Sequence, residues 1–268
     1  MKKISVIIPT FNRSKSLIRA VKSVIGQTVK PFEIIVSDDG SNDGSEKIVG
    51  RIGDPIVKWI SAKHTGLPAA VRNKGIKKSR GDWLAFLDSD DKWEENKLEE
   101  QIEIIDKYKC GAVCANSSRV TNNASKAGFV SPFSGRIIRL TDLLKENYVV
   151  TSSVLIRKDL IQRTGGFPED KNLLVGEDYA LWLRVAAETD FYFINKPLLR
   201  YTDNPKSSIR KLGKDDFLQR VEVLENFSRY LAEKKYPFGM RLKTHIYKTL
   251  LYYFFYTNLL IRKTKYLI

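Results

Sequence analysis

Residues 81–93 read GDWLAFLDSDDKW. From Trp83 the run is nearly all apolar as far as Asp88, the mark of a strand covered on both faces of a parallel sheet. A turn at Arg80-Gly81-Asp82 leads into it, and the triplet is read as that turn, with no adhesive role. The strand ends in Asp88-Ser89-Asp90-Asp91. Toward the N-terminus the same grammar recurs. ISVII at 4–8 is β-rich and stops at Pro9, and from Ser14 onward Leu17, Ile18, Val21, Val24 and Ile25 fall at helical spacing. IIVS at 34–37 ends in Asp38-Asp39-Gly40-Ser41, IVKWI at 56–60 is a third strand, and a helix is predicted over 67–78. On the C-terminal side, 95–107 is an amphipathic helix carrying Leu98, Ile102 and Ile105, and 111–115 is a further strand. Strands and helices alternate from residue 1 to about 115, which predicts an α/β fold with a mostly parallel sheet.

Beyond that point the pattern weakens. Residues 116–148 are polar and rich in Gly, Ser and Asn, TSSVLIR at 151–157 reads as a strand, and Gly165-Gly166-Phe167-Pro168 reads as a turn. Glu177-Asp178 opens a helix running to about Glu188. After 205 the text is helical and basic, and its segment 249–261, TLLYYFFYTNLLI, is aromatic on all sides. The expected division is therefore 1–204 for the main domain and 205–268 for a helical C-terminal extension.

The chain has 268 residues, 43% hydrophobic and 29% charged, enough to bury a core without metal or disulfide staples. Cys110 and Cys114 match neither a zinc pattern nor a redox pair, which suits a reducing cytosol. MKKISVII has too short an apolar run before Pro9 for a signal peptide, and no stretch is long enough to span a bilayer. A cytoplasmic protein is expected. The formal net charge is +15, and residues 205–268 hold fourteen Lys and Arg against five Asp and Glu. Such a surplus suits nucleic acid, an anionic membrane or an anionic substrate.

In an open parallel sheet the ligand site forms at the carboxyl ends of the strands. Three such ends here are Pro9-Thr10-Phe11-Asn12, Asp38-Asp39 and Asp88-Ser89-Asp90-Asp91. Each alone is an ordinary turn or helix cap. Together they gather five carboxylates at one rim, which repel one another unless a cation joins them. Oxygen ligands without His or Cys suit Mg²⁺ or Mn²⁺ shared with waters and a diphosphate, so a nucleoside-diphosphate site is expected.

The ordered runs SVIIPTFNR, FEIIVSDDGSNDGS, GLPAAVRNKGI, GDWLAFLDSDDKW, GGFPED and GEDYALWLR resemble family 2 glycosyltransferases of the GT-A fold over about residues 3–200. The resemblance implies a Rossmann-like, mostly parallel sheet flanked by helices. It also implies that Pro9 and Thr10 lie against the nucleotide base, that Asp39 bonds a uracil ring, and that Arg72 contacts nucleotide or diphosphate. Asp88, Ser89 and Asp90 match the D-x-D motif, which Asp91 extends. One of Asp90 and Asp91 is expected on the metal and another of these acids, Asp88 included, on ribose. Asp178 matches the proposed catalytic base of an inverting transfer, which takes the proton of the acceptor hydroxyl. Without the resemblance, Arg72 would be a solvated helix charge, Asp178 an acid favoured at a helix N-terminus, and Trp182 core packing rather than a sugar platform.

One departure stands out. The family often carries a Tyr-Arg-x-His-like segment, whereas this chain has Arg200-Tyr201-Thr202-Asp203. Asp203, Lys206 or Arg210 would have to substitute for the His, or the D-x-D acts alone. His64 lies near the expected nucleotide loops, yet a lone His is more often incidental. The segment 249–261, with Lys248, Arg262, Lys263 and Lys265, reads either as a helix packed on the body or on a second subunit, as in a homodimer, or as an interfacial anchor. The anchor is favoured, as peripheral contact with the inner membrane or a lipid acceptor.

The expected activity is metal-dependent transfer of a hexose (glucose, galactose or N-acetylhexosamine) from a UDP-sugar to a glycan. The implied acceptor is polyprenyl-diphosphate-linked, as in O-antigen or capsule assembly. A sugar-phosphate nucleotidyltransferase would want a Gly-rich loop where PTFNRS stands. A nucleic-acid-binding module would be repelled by the acidic rim, so no nucleic-acid partner is expected.

Overall fold

The computed structural model describes residues 2–61, 63–121, 124–129, 131–202 and 216–265, with side chains outside 121–130 and 254–265. In chain order the elements are β1 (Ile4–Thr10), α1 (Ser14–Ile25), β2 (Glu33–Asp38), α2 (Ser45–Gly50), β3 (Val57–Ser61), α3 (Pro68–Lys78), β4 (Trp83–Phe86), β5 (Lys92–Trp93) and α4 (Lys97–Tyr108). They continue with β6 (Ala112–Thr121), β7 (Ala124–Phe129), β8 (Ile137–Ile138), α5 (Leu140–Leu143), β9 (Leu155–Arg157), α6 (Lys158–Arg163), α7 (Glu177–Ala186), β10 (Phe191–Thr202), α8 (Asp216–Glu233) and α9 (Phe238–Lys265).

The sheet runs β3-β2-β1-β4-β9-β6-β10-β5, with β7 beside β6 and β8 beside β10. β3, β2, β1 and β4 are parallel, and β10 is parallel to β6. β9 lies antiparallel between β4 and β6, so all six of those strands point the same way. Their carboxyl ends form one rim, and β9 begins at that rim. This is the mixed, mostly parallel α/β sheet that the alternation predicted.

Apolar side chains explain the layers. β1 and β4 are buried throughout almost their whole length, as two-sided strands require. On one face Val6, Ile8, Leu17, Val21, Val24, Trp93 and Leu98 form a cluster that holds α1 and α4. On the other, Ile7, Phe86, Phe167, Trp182 and Phe191 meet α7, and α8 joins the same cluster through Val223, Leu224, Phe227 and Leu231. Residues 216–233 therefore pack into the main body, and the expected division at 204/205 marks a change of composition within one core.

Three readings of the sequence change. The polar stretch after 115 holds a long β6, β7, β8 and α5, and Phe191–Thr202, given no element by periodicity, is β10. TSSVLIR is not one strand: Thr151–Ser153 is a 3-10 turn and only Leu155–Arg157 is β9.

Candidate active site

The rim brings together residues far apart in the chain. Asp38 closes β2 and is spent on its own turn: its carboxylate accepts from Gly40 N (3.2 Å), Ser41 N (3.1 Å) and Ser61 Oγ (3.0 Å). Asp39, 4% exposed, accepts from Thr65 N and Oγ1 (both 2.8 Å) and Gly66 N (2.9 Å), with His64 Nδ1 2.9 Å away. His64 thus lies against the expected nucleotide loops. Its ring stacks on Phe11 at 4.2 Å, and Phe11, 40% exposed at the carboxyl end of β1, offers an aromatic face beside Asp39. Sequence reading passed over Phe11, although a bulky aromatic in a rim loop is itself a signal. Pro9 and Thr10 end β1, where the Thr10 carbonyl accepts from Asp39 N (3.0 Å) and the buried Thr10 hydroxyl has no partner among the described residues.

Arg72 of α3 is 6% exposed, so it is no solvated helix charge. Its Nη2 donates to Asp88 Oδ1 and its Nη1 to Glu177 Oε1, both at 2.7 Å, and its guanidinium lies 5.3 Å from the Phe167 ring. Burial opposes the charge, but Asp88 and Glu177 hold Arg72 protonated more firmly than a free arginine. Glu177 is pushed up to about 7, by burial first and then by Asp178 next to it, against the pull of Arg72. One cation therefore ties the acidic loop after β4 to the start of α7.

That start is shaped by Gly176, whose φ of 107° suits glycine and lies outside the range side chains prefer. Asp178 follows at the N-terminal turn of α7, its Oδ2 accepting from Thr151 Oγ1 (2.8 Å) and its Oδ1 from Tyr179 N (2.7 Å). Asn73, next to Arg72, pins the GGFPED loop: its Nδ2 donates to Phe167 O and Glu169 Oε1 (both 2.8 Å), and its Oδ1 accepts from Phe167 N (2.9 Å). At Gly166 (φ 74°) a Cβ would come within 2.7 Å of that Oδ1.

The three D-x-D-region acids differ. The Asp88 and Asp90 side chains are 32% and 27% exposed, and Asp90 pairs with Arg13. Asp91 is 1% exposed; its Oδ1 accepts from Thr202 N (2.9 Å), while its Oδ2 has no hydrogen-bond partner among the described residues. Burial and the charges of Asp88 and Asp90 push its carboxyl well above the ordinary range. With Arg72 on Asp88 and Arg13 on Asp90, the acid left without a cation among the described residues is Asp91, and its open Oδ2 fits a divalent cation. Among the described residues no group of three or more His, Cys, Asp or Glu forms a metal cage. Asp203, Lys206 and Arg210 lie outside the described residues.

The 3-10 turn before β9 is the part of the site that the sequence hid. Thr151 holds Asp178, and the Ser152 hydroxyl accepts from Asp88 N (3.0 Å). Ser152 O accepts from Trp93 Nε1, and Ser153 O from Gln101 Nε2, both at 2.7 Å. Trp182 is fully buried between Phe86, Phe167 and Phe191, a core residue and no platform for sugar. A cleft of about 410 Å³ lined by Arg80, Asp82, Arg157 and Lys158 lies at the amino end of β4, away from all these groups.

A mostly parallel sheet of this order, flanked by helices and carrying an acidic rim at the carboxyl ends of its strands, is an α/β architecture of the GT-A type. The model for Glycosyl transferase family 2 matches residues 5–165, and the chain belongs to that family. It is 30% identical over 192 residues to the Escherichia coli UDP-Glc:alpha-D-GlcNAc-diphosphoundecaprenol beta-1,3-glucosyltransferase WfgD, covering 72% of this chain and 73% of that protein. It is 31% identical over 240 residues to an uncharacterized glycosyltransferase of Rickettsia conorii, covering 85% of this chain but only 39% of that longer protein. Among solved structures, S. aureus TarS in complex with UDP-GlcNAc superposes with a TM-score of 0.71 at 21% identity, over 85% of this chain and 66% of that one. The mannosyltransferase PcManGT of Pyrobaculum calidifontis, in complex with GDP-Man and Mn2+, gives 0.59 at 18% identity, over 92% and 70%. At these identities the likeness is one of fold.

Proposed function

We propose that the chain transfers a hexose, with inversion, from a UDP-sugar to a sugar already carried on a polyprenyl diphosphate, on the cytoplasmic side of a membrane. The observation that carries this reading is the Arg72 bridge. By joining Asp88 to Glu177 it sets the D-x-D loop beside the helix turn that bears Asp178, which supports a donor site and a base on one rim. The E. coli relative, named for UDP-Glc and a GlcNAc-diphosphoundecaprenol acceptor, supports the choice of donor and acceptor, and the two free cysteines suit a reducing compartment.

In this reading Phe11 and the β1 end at Pro9 and Thr10 receive the base, and Asp39 accepts its N–H. Asp90, the more open of the two candidate metal ligands, would hold Mn²⁺ or Mg²⁺, with Asp88 toward the ribose and diphosphate. Asp91, closed off and bonded to Thr202 N, braces the loop from behind. When bound, the metal supplies positive charge to the departing diphosphate. Arg72 orients Asp88 and Glu177 rather than touching phosphate itself. Thr151 holds one oxygen of Asp178, and the carboxylate takes the proton of the acceptor hydroxyl as the hydroxyl oxygen attacks the anomeric carbon from the face opposite the departing diphosphate.

The test is a screen of UDP-, GDP- and dTDP-sugars for metal-dependent transfer or hydrolysis, beside Asp90→Ala, Asp91→Ala and Asp178→Ala. Asp178→Ala is expected to keep donor binding and lose transfer by a factor on the order of 10² or more, whereas Asp90→Ala weakens metal-dependent donor binding. Full turnover by the Asp178 variant removes the base assignment.

A further inference from the structure

α9 carries apolar residues on two sides. Met240, Tyr247 and Leu251 pack against the core, with Thr244 fully buried between them. On the opposite side Phe238, Leu242, Ile246 and Leu250 are 74%, 43%, 46% and 44% exposed. A four-residue interval advances a helix about 40° beyond a full turn, so these four trace one slowly winding stripe roughly 18 Å long. Single exposed apolar residues are ordinary, but an aligned row of four is an interaction surface.

Charge identifies the partner. From Lys234 to Ile268 the sequence holds eight Lys and Arg and no Asp or Glu. By helical position the exposed Arg241 and Lys243 fall on either side of the stripe. The neighbouring acid on α8, Glu225, is already bonded to Lys248 at 2.7 Å. A two-fold contact between copies through this stripe would set like charges against like, with no acid in the segment to answer them. A surface of anionic headgroups answers Arg241 and Lys243 while its acyl boundary takes the apolar row. Among the described residues no helix is long and apolar enough to cross a membrane, so the contact is one of lying on the surface.

The geometry points to the outer face of α9 as a docking surface for a bilayer rich in anionic lipid. This goes beyond the catalytic reading, since stripe and cations stand whatever the acceptor. The experiment is co-sedimentation of the full chain with vesicles of phosphatidylcholine, alone or mixed with phosphatidylglycerol. The chain is expected to bind the mixed vesicles about tenfold or more better than the neutral ones, and to be released by salt. Leu242→Asp with Ile246→Asp is expected to cut that binding about tenfold or more, and Arg241→Glu with Lys243→Glu to remove the preference for anionic lipid. Both pairs are on the surface and should leave soluble UDP-sugar hydrolysis unchanged, which separates failure here from failure of the catalytic reading. Equal binding to both vesicle types, or undiminished binding by the Asp pair, overturns the inference. So does a dimer in light scattering that the Asp pair dissolves while vesicles bind neither form.

Discussion

At Arg72 a single guanidinium answers two carboxylates, one 16 and the other 105 residues away in sequence. Removing one partner of a buried charge network costs about 3–5 kcal/mol, because the others are left uncompensated. Arg72→Ala should therefore unfold at clearly lower urea concentration, and Arg72→Lys should recover only part of the loss, since an ammonium cannot fork to both acids. Wild-type-like urea midpoints in both variants would show that the bridge bears no strain of the fold. Thr151→Val deletes the hydroxyl on Asp178, so kcat should fall about tenfold with little change in donor KM, and Thr151→Ser should restore it. An equal loss in the Ser variant would argue for packing instead. The family resemblance of the ordered motifs, rather than residue types alone, singled out Asp39, Arg72, Asp88, Asp90 and Asp178 as candidates. Their partners were not legible, because Arg72 reads as a phosphate contact until its distant acids are seen, and Thr151 reads as one more β-prone residue.

Among the elements, the parallel half of the sheet is tied at its amino end by Glu33. This side chain, 1% exposed, accepts from Ser5 Oγ (2.7 Å) on β1, Lys58 Nζ (2.5 Å) on β3 and Arg80 N (2.6 Å) before β4. Burial opposes its charge, yet these donors hold its carboxyl down to about 2 against an ordinary 4.5. The native state thus binds the proton less readily than the unfolded chain. The resulting stability, about 3 kcal/mol, is present above pH 4.5 and lost as pH falls toward 2. Glu33→Gln should flatten the fall in melting temperature over that window; an unchanged slope would place the acid sensitivity elsewhere. The elements up to residue 115 were legible because buried parallel strands are apolar throughout and their helices amphipathic. β6 beyond Ala115 and β7 escaped because their ladder sets Ser118, Arg119, Val120 and Thr121 against Phe129, Lys126, Ser125 and Ala124, a mixed set in which the pairing partner rather than an apolar period makes the strand.

Across the whole molecule, positive charge gathers toward the C-terminus and negative charge at the rim. The rim's acids should therefore respond to metal and nucleotide together. Mn²⁺ with UDP, at about 100 times the dissociation constant, adds about 2.7 kcal/mol and should raise the melting temperature by about 5 °C or more. EDTA should reverse the shift and Asp90→Ala abolish it; a shift that persists in that variant would move the metal off this loop. Asp39 shows how firmly one wall of that rim is set beforehand. Thr65 and Gly66 already grip its carboxylate from one side, so the acid is pinned in place with few lone pairs to spare. On the proposed reading a base would meet a rigid acceptor rather than a swinging one, and little side-chain freedom would be lost when it docks.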